Sequence, residues 1–149
     1  MTAAPGYFDT SAIVKLYLKE AYSEDTASLF TTAQFVSSHE IAFVETRAAL
    51  ASARRTKRLD ESEYAISVRN FCDDWSHGVT PIGTDDTLLE RAAELAEGFG
   101  LRGYDAMHLA SADRLRSQLP ALVFVSFDRA LNRAAKLIGL SLPDFTPLA

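Results

Sequence analysis

The sequence predicts an α/β domain built on parallel strands, and three observations lead to it. Short β-type runs alternate with longer helical patterns from one end to the other, as in strands joined by crossover helices. The run Leu122 to Val125, closing on Ser126, is continuously apolar, as a strand covered on both faces requires. No Pro-, Gly- or Ser-rich linker, repeat or low-complexity stretch interrupts the 149 residues, so residues 1–149 are expected to form a single domain.

The strand candidates are Tyr7 to Asp9, Phe35 to Ser37, Val79 to Ile82 and Leu122 to Ser126. After Asp9 a helical run passes through Ile13, Leu16 and Tyr17, and a second helix is expected from His39 to about Arg55. Asp60 and Glu63 form a capping box ahead of Tyr64, Val68, Phe71, Cys72 and Trp75, an apolar stripe at helical spacing. Thr84 is expected to cap a helix carrying Leu88, Leu89, Ala92, Leu95, Ala96 and Phe99, with Asp85 and Asp86 in its first turn and an end near Gly98 or Gly100. Asp105 opens a helix after Gly103, and Asp128 caps one that runs to about Gly139. Parallel strands bind ligands at their carboxyl ends, which directs attention to the residues where strand becomes helix.

Composition narrows the class further. With 48% hydrophobic and 23% charged residues the chain is neither disordered nor fibrous, and its longest apolar run is far short of the ~20 residues of a membrane span. No cation or long apolar stretch precedes Lys15, so a secretory leader is not expected and the cytoplasm is the expected compartment. Cys72 is the single cysteine, which excludes a disulfide scaffold and a Cys-rich zinc site. The net charge of −5 argues against holding nucleic acid by bulk attraction, although Arg54, Arg55, Lys57 and Arg58 make a local basic cluster. Such a cluster also suits the C-terminal end of a helix dipole.

Four acidic residues stand apart from the rest. Asp9 and Asp128 fall at strand ends, and Asp105 begins a helix. Glu45 lies within its helix on the stripe of Ile41, Val44, Ala48 and Ala49, which is expected to face the core. A buried carboxylate without a partner costs several kcal/mol or takes up a proton. The neighbours of Glu45 three and four residues away are Ile41, Ala42, Ala48 and Ala49, none of them basic. The following helical neighbours of Asp9 and Asp128 include no Lys or Arg, and those of Asp105 are His108 and Leu109. Asp113 and Asp73, by contrast, have Arg116 and Arg69 to pair with on the surface. If the four converge, their repulsion calls for a cation, and oxygen-only ligation favours Mg²⁺ or Mn²⁺ over zinc. The alternative is three separate helix caps and one snorkelling Glu45.

The segments Tyr7-Phe8-Asp9-Thr10-Ser11-Ala12-Ile13-Val14-Lys15-Leu16-Tyr17, Glu45-Thr46-Arg47, Leu101-Arg102-Gly103-Tyr104-Asp105-Ala106-Met107-His108-Leu109-Ala110-Ser111-Ala112 and Ser126-Phe127-Asp128 resemble PIN-domain nucleases, and more narrowly the VapC toxins of type II toxin-antitoxin pairs. The resemblance covers nearly the whole chain. It implies a three-layer α/β/α sandwich with a mainly parallel central sheet, in which Asp9, Glu45, Asp105 and Asp128 bind Mg²⁺ or Mn²⁺ and hydrolyse RNA phosphodiesters. Thr10, Ser11 and Ser126 would support those ligands by hydrogen bonding. Asp128 is the acid whose place the family pattern defines least. Setting the four acids aside leaves 16 acidic against 15 basic residues, so RNA needs only local contacts, for which Lys15, Arg47, Arg54, Arg55, Lys57 and Arg58 are candidates.

Other residues are read as structural. His108 is expected to be a buried histidine bonded within the fold, His39 and His77 surface or cap residues, Cys72 an inert core residue, and Glu20 a solvated helix end. An aspartyl phosphatase is disfavoured because Ser11 stands where such enzymes usually place a second Asp. A PIN-like scaffold that binds RNA or a protein without cleaving remains the alternative function. The resemblance also implies a small VapB-like antitoxin and a homodimer, with RNA as substrate and no membrane association. A groove for a partner helix is expected among Ile13, Leu16, Tyr17, Leu29, Phe30, Ile41, Phe43, Val44 and Leu50, more apolar positions than one face per helix needs.

Overall fold

A computed structural model describes residues 3–148. Its elements run β1 (Gly6–Phe8), α1 (Thr10–Val14), α2 (Ser23–Thr32), β2 (Val36–His39), α3 (Ile41–Arg55), α4 (Glu61–Gly78), β3 (Val79–Ile82), α5 (Asp86–Phe99), α6 (Gly103–Gln118), β4 (Val123–Val125) and α7 (Arg129–Leu137). The strands form one sheet in the order β3-β2-β1-β4, parallel throughout, with Gly6 registered against both Val36 and Val123. Pro81 sits on the edge strand β3, where its missing N–H breaks no ladder.

Chain reversal at β1 puts helices on both sheet faces, and the alternation of side chains along each strand divides the core between them. Tyr7 and Phe124 face Leu88, Leu109 and Leu131 of α5, α6 and α7. Phe8 and Val125, their chain neighbours, face Ile13, Leu50 and Phe71 of α1, α3 and α4. The result is the expected α/β/α sandwich. No helix among the described residues is long and apolar enough to cross a membrane.

Local signals fare well where they depend on near neighbours. The Asp60–Glu63 capping box forms in both directions, Gly100 ends α5 in the left-handed conformation at φ 66°, and Asp128 caps α7 by accepting from the Leu131 amide at 2.8 Å. Three details differ. Asp85, not Thr84, caps α5, accepting from the Leu88 amide at 2.8 Å, while Thr84 bonds His39 Nε2 at 2.8 Å. Helix α1 stops at Val14 and continues to Leu18 only as turns. Helix α6 begins at Gly103, so Asp105 lies within its first turn.

The stripe expected on α3 is also corrected. Ala42, Thr46, Leu50 and Ala53 face the core, whereas Val44 is 61% exposed and Ala48 is exposed too. Two overlapping stripes exist on this helix, and the one with small residues at its ends lets α3 approach its neighbours closely. Glu45 therefore borders the core face without lying on the stripe first assigned to it. The expected partner groove is taken up by packing as well. Ile13 and Leu50 are buried, Tyr17, Leu29, Phe30 and Phe43 pack on the same cluster, and of the nine residues only Val44 is exposed.

Candidate active site

Asp9 follows β1 at the carboxyl end of the central strand and is 3% exposed. Its Oδ1 accepts from the Ala12 amide at 3.0 Å and from the Ser11 hydroxyl at 2.6 Å. Ser11 Oγ in turn accepts from the Phe127 amide at 2.8 Å, tying α1 to the loop after β4. In that loop the Ser126 hydroxyl accepts from the Asp128 amide at 3.1 Å. Ser11 therefore bonds the Asp9 carboxylate directly, whereas Ser126 bonds the backbone amide of Asp128. Burial pushes the Asp9 carboxyl above its ordinary proton affinity, and nearby His108 with the bonds from Ser11 and Ala12 offsets only part of that rise.

Glu45 reaches the same edge from the second turn of α3. Its Oε1 accepts from the Thr10 hydroxyl at 2.7 Å and from His108 Nε2 at 2.9 Å. His108, buried in α6, meets the Tyr7 hydroxyl through Nδ1 at 2.7 Å, and that hydroxyl accepts from the His39 amide at 3.0 Å. The Tyr7 hydroxyl thus bridges the His39 amide and His108 Nδ1, while His108 Nε2 faces Glu45 Oε1. A chain of hydrogen bonds therefore crosses the sheet and ends on one carboxylate oxygen. Burial alone raises the Glu45 carboxyl, but the bonds from His108 and Thr10 outweigh it and hold the group below its ordinary value. His108 is bonded within the fold, as expected, although its partners give it a place in the site. His39 is not a surface residue: it is buried, its Nδ1 accepts from the Ile41 amide at 3.0 Å at the start of α3, and burial followed by the nearby His108 lowers its pKa.

The two remaining acids are held differently. Arg102, at the N-cap position of α6, donates from Nε to Asp105 Oδ2 at 3.2 Å and places Nη2 3.6 Å from Asp128 Oδ2. Its side chain is 83% exposed. Asp105 is therefore not without a cation, contrary to the reading of its downstream neighbours. The signal lay three residues upstream, where helix geometry also brings side chains together. Asp113 has its expected partner Arg116 at 2.6 Å and gains Arg91 at 3.1 Å, but no ion pair joins Asp73 to Arg69.

The model of the PIN domain family matches residues 6–137. The chain belongs to the PIN domain family. Two ribonucleases from strains of Mycobacterium tuberculosis, VapC45 and VapC49, are each 40% identical to this PIN domain over 133 residues, a span of 89% of this chain and 90% of theirs. It is a VapC-like member. The crystal structure of PAE2754 from Pyrobaculum aerophilum shares the fold at a TM-score of 0.61 and 21% identity, covering 94% of this chain and 91% of that one. VapBC2 from Rickettsia felis, crystallised with a DNA fragment from its promoter, matches at 0.60 and 14% identity, covering 93% and 97%.

Within the PIN domain, the basic residues expected to meet RNA lie apart from the acids or are already engaged. Lys15 is only 10% exposed, pairs with Glu20 at 3.4 Å and places Nζ 4.4 Å from the Phe127 ring. Arg47 turns toward α4, with Nη1 3.8 Å from Cys72 Sγ. Arg54 pairs with Glu61 and stacks on Tyr64, Arg58 pairs with Glu20, and Arg55 and Lys57 are exposed. The Arg54 to Arg58 cluster sits where α3 ends, about 14 Å along the helix axis from Glu45, which is the dipole-matched position. As the side chains stand, no three His, Cys, Asp or Glu residues among those described gather around one point fit for a cation. Asp105 and Asp128 are drawn to Arg102, and Glu45 to Thr10 and His108.

Proposed function

We propose that this PIN domain is a metal-dependent endoribonuclease, the toxin of a VapBC-type pair, with Mg²⁺ or Mn²⁺ held by Asp9, Glu45, Asp105 and Asp128. The observation that carries the reading is Asp9: a buried carboxylate at the switch point of a parallel sheet, bonded by a hydroxyl and an amide, with no Lys or Arg paired to it among the described residues. The donor set fits, since four carboxylates offer the hard oxygens that these ions take. Arg102 already occupies the position of a counter-cation for two of them. The ribonuclease names of the VapC relatives support the choice of RNA as substrate.

A bound divalent ion supplies charge neutralisation on the scissile phosphate and acidifies a water. The rest falls to the chain. Ser11 and the Ala12 amide fix Asp9 through one oxygen, and His108 with Thr10 fixes Glu45 through Oε1, leaving Oε2 to turn to a ligand. The reaction is hydrolysis by water: a water oxygen bonds to phosphorus, the P–O3′ bond breaks and O3′ leaves with a proton, so the products carry a 5′-phosphate and a 3′-hydroxyl. Control by a VapB-like antitoxin and homodimerisation complete the reading.

The test compares wild type with Asp9→Asn on total RNA in Mg²⁺, with end-group analysis of the fragments and Mn²⁺ calorimetry. Cyclic 2′,3′-phosphate ends, activity that survives EDTA, or no Mn²⁺ uptake at millimolar metal by the folded protein would refute the mechanism. Normal growth of cells expressing wild type alone would refute the toxin role. A binding scaffold is the outcome if RNA is bound and left intact in metal.

A further inference from the structure

An aromatic surface adjoins the acids. Phe127 lies between Ser126 and Asp128, and its amide is the one that bonds Ser11. Its ring, that of Tyr22 and that of Phe145 are nearly parallel, with interplanar angles of 20°, 21° and 28°. The three centroid separations are 6.2, 6.3 and 6.2 Å. A column of three rings would make one separation the sum of the other two. Equal separations place the three ring centres at the corners of a triangle, so the rings form a cluster and not a column. Lys15 places its ammonium 4.4 Å from the centre of the Phe127 ring.

Tyr22 is the exposed member, at 52%, and its backbone is in the left-handed region at φ 66°. A bulky residue there is strained, and the strain persists only when the surroundings hold it. Here they do. The Tyr22 carbonyl accepts from the Thr26 hydroxyl at 2.7 Å and from the Thr26 amide at 3.0 Å, and Thr26 is fully buried. Ser23 Oγ accepts from the Glu20 amide at 2.9 Å and donates to the Leu18 carbonyl at 3.1 Å, closing the turn. The chain thus sustains an unfavourable backbone that presents a large aromatic ring to solvent beside Phe127, the chain neighbour of Asp128.

We propose that Tyr22, Phe127 and Phe145 form a stacking platform for an unpaired base of single-stranded RNA, which sets the strand beside Asp9 and Asp128. The inference rests on the ribonuclease reading and deepens it by naming the residues that would position the strand. Every base offers a π face whatever its sequence, whereas a base inside a duplex has that face covered. The net charge of −5 leaves little bulk attraction for phosphates, so stacking supplies contact that electrostatics here does not.

The test uses the full chain carrying Asp9→Asn, so that RNA is bound without being cut. Binding of a labelled single-stranded oligoribonucleotide of mixed sequence is measured by anisotropy. Tyr22→Leu in that background should weaken binding about 5- to 100-fold, and Tyr22→Phe should preserve it. A second set of oligomers carries one abasic residue, moved position by position. At the platform position the abasic oligomer should lose as much as Tyr22→Leu does, and the two losses should not add. Circular dichroism establishes that Tyr22→Leu is folded; Tyr22→Trp, which restores an aromatic face, should keep wild-type affinity and provides a second variant.

Unchanged affinity in Tyr22→Leu overturns the platform and leaves the ribonuclease reading intact, as does a loss that is equal for every abasic oligomer. The platform is also overturned if Tyr22→Leu binds RNA normally but releases a co-expressed small antitoxin, which assigns the surface to that partner. Failure of the Asp9→Asn protein to bind any single-stranded RNA removes both readings together.

Discussion

Two pairs of acids meet the carboxyl edge of this sheet, and they are held in opposite ways. Asp9 and Glu45 are fixed from inside the fold, by hydroxyls, an amide and a buried histidine. Asp105 and Asp128 are joined from outside by Arg102, whose side chain is 83% exposed. The donors on the inner pair orient the carboxylates, and no Lys or Arg pairs with either of them among the described residues. The arginine cancels charge on the outer pair but lies in high dielectric, where ion pairs are weak. The difference predicts a site with a rigid half and an adjustable half.

The largest effect is expected at Asp9. Asp9→Asn should lower RNA cleavage by at least roughly 10²–10³-fold, the range for removing one buried electrostatic partner of a reaction. The same change should raise the Tm of metal-free protein at neutral pH, each kcal/mol of relieved burial penalty corresponding to about 2–4 °C at this chain length. The sign follows from the raised proton affinity of Asp9: the folded state binds its proton more tightly than the unfolded chain does. Wild-type stability is therefore fullest in acid and falls as pH rises from the ordinary carboxyl range through the raised value. Denaturation curves of the two proteins should converge at low pH and separate above it. Parallel curves at every pH would remove the inner pair's uncompensated charge from the comparison.

Next is the support of Glu45. Tyr7→Phe keeps the ring but leaves the His39 amide and His108 Nδ1 without the hydroxyl between them, which should cost about 1–3 kcal/mol in urea denaturation. Loss of such outer support should also weaken Mn²⁺ binding by about 10–100-fold in calorimetry. Native stability in this variant would show that the chain across the sheet does not hold Glu45.

The outer pair should respond less. Asp128→Ala removes both the cap of α7 and a charge and should cost about 1 kcal/mol, whereas Asp128→Asn retains the cap and should be near wild type in stability. Smallest of all is Arg102→Gln, expected to change stability by less than about 1 kcal/mol. Its sharper readout is metal: with the competing guanidinium gone, Mn²⁺ should bind several-fold more tightly. Weaker binding would mean that Arg102 organises the outer pair for the ion and does not compete with it.

Much of this was legible along the chain, for identifiable reasons. The capping box at Asp60, the left-handed Gly100 and the Asp128 cap depend on residues within about four positions, and those interactions survive whatever the helix packs against. The apolar run before Ser126 is of the kind a strand covered on both sides shows, and it forms β4. The acids Asp9, Glu45, Asp105 and Asp128 stood out because their types and settings conflict with burial; Asp9 and Asp128 lie just after β1 and β4, Glu45 in the helix leading from β2, and Asp105 in the first turn of α6. The core stripe of α3 was misread because Ile41 and Val44 are as apolar as Ala42 and Ala53 are small. Choosing between two such stripes requires knowing how closely the helix must approach its neighbours.

What the sequence determined by itself was the layered α/β class, the positions of its strands and most caps, and the family to which the chain belongs, since these follow from periodicity, local bonding and short motifs. Tertiary structure alone decided that Glu45 meets a histidine 63 residues away, that Arg102 spans two acids, and that Tyr22, Phe127 and Phe145 cluster. The physical reason is range. A hydrogen bond or ring contact acts over a few ångströms, and only the parallel sheet, by stacking the ends of β1, β2 and β4, brings such distant segments within that reach.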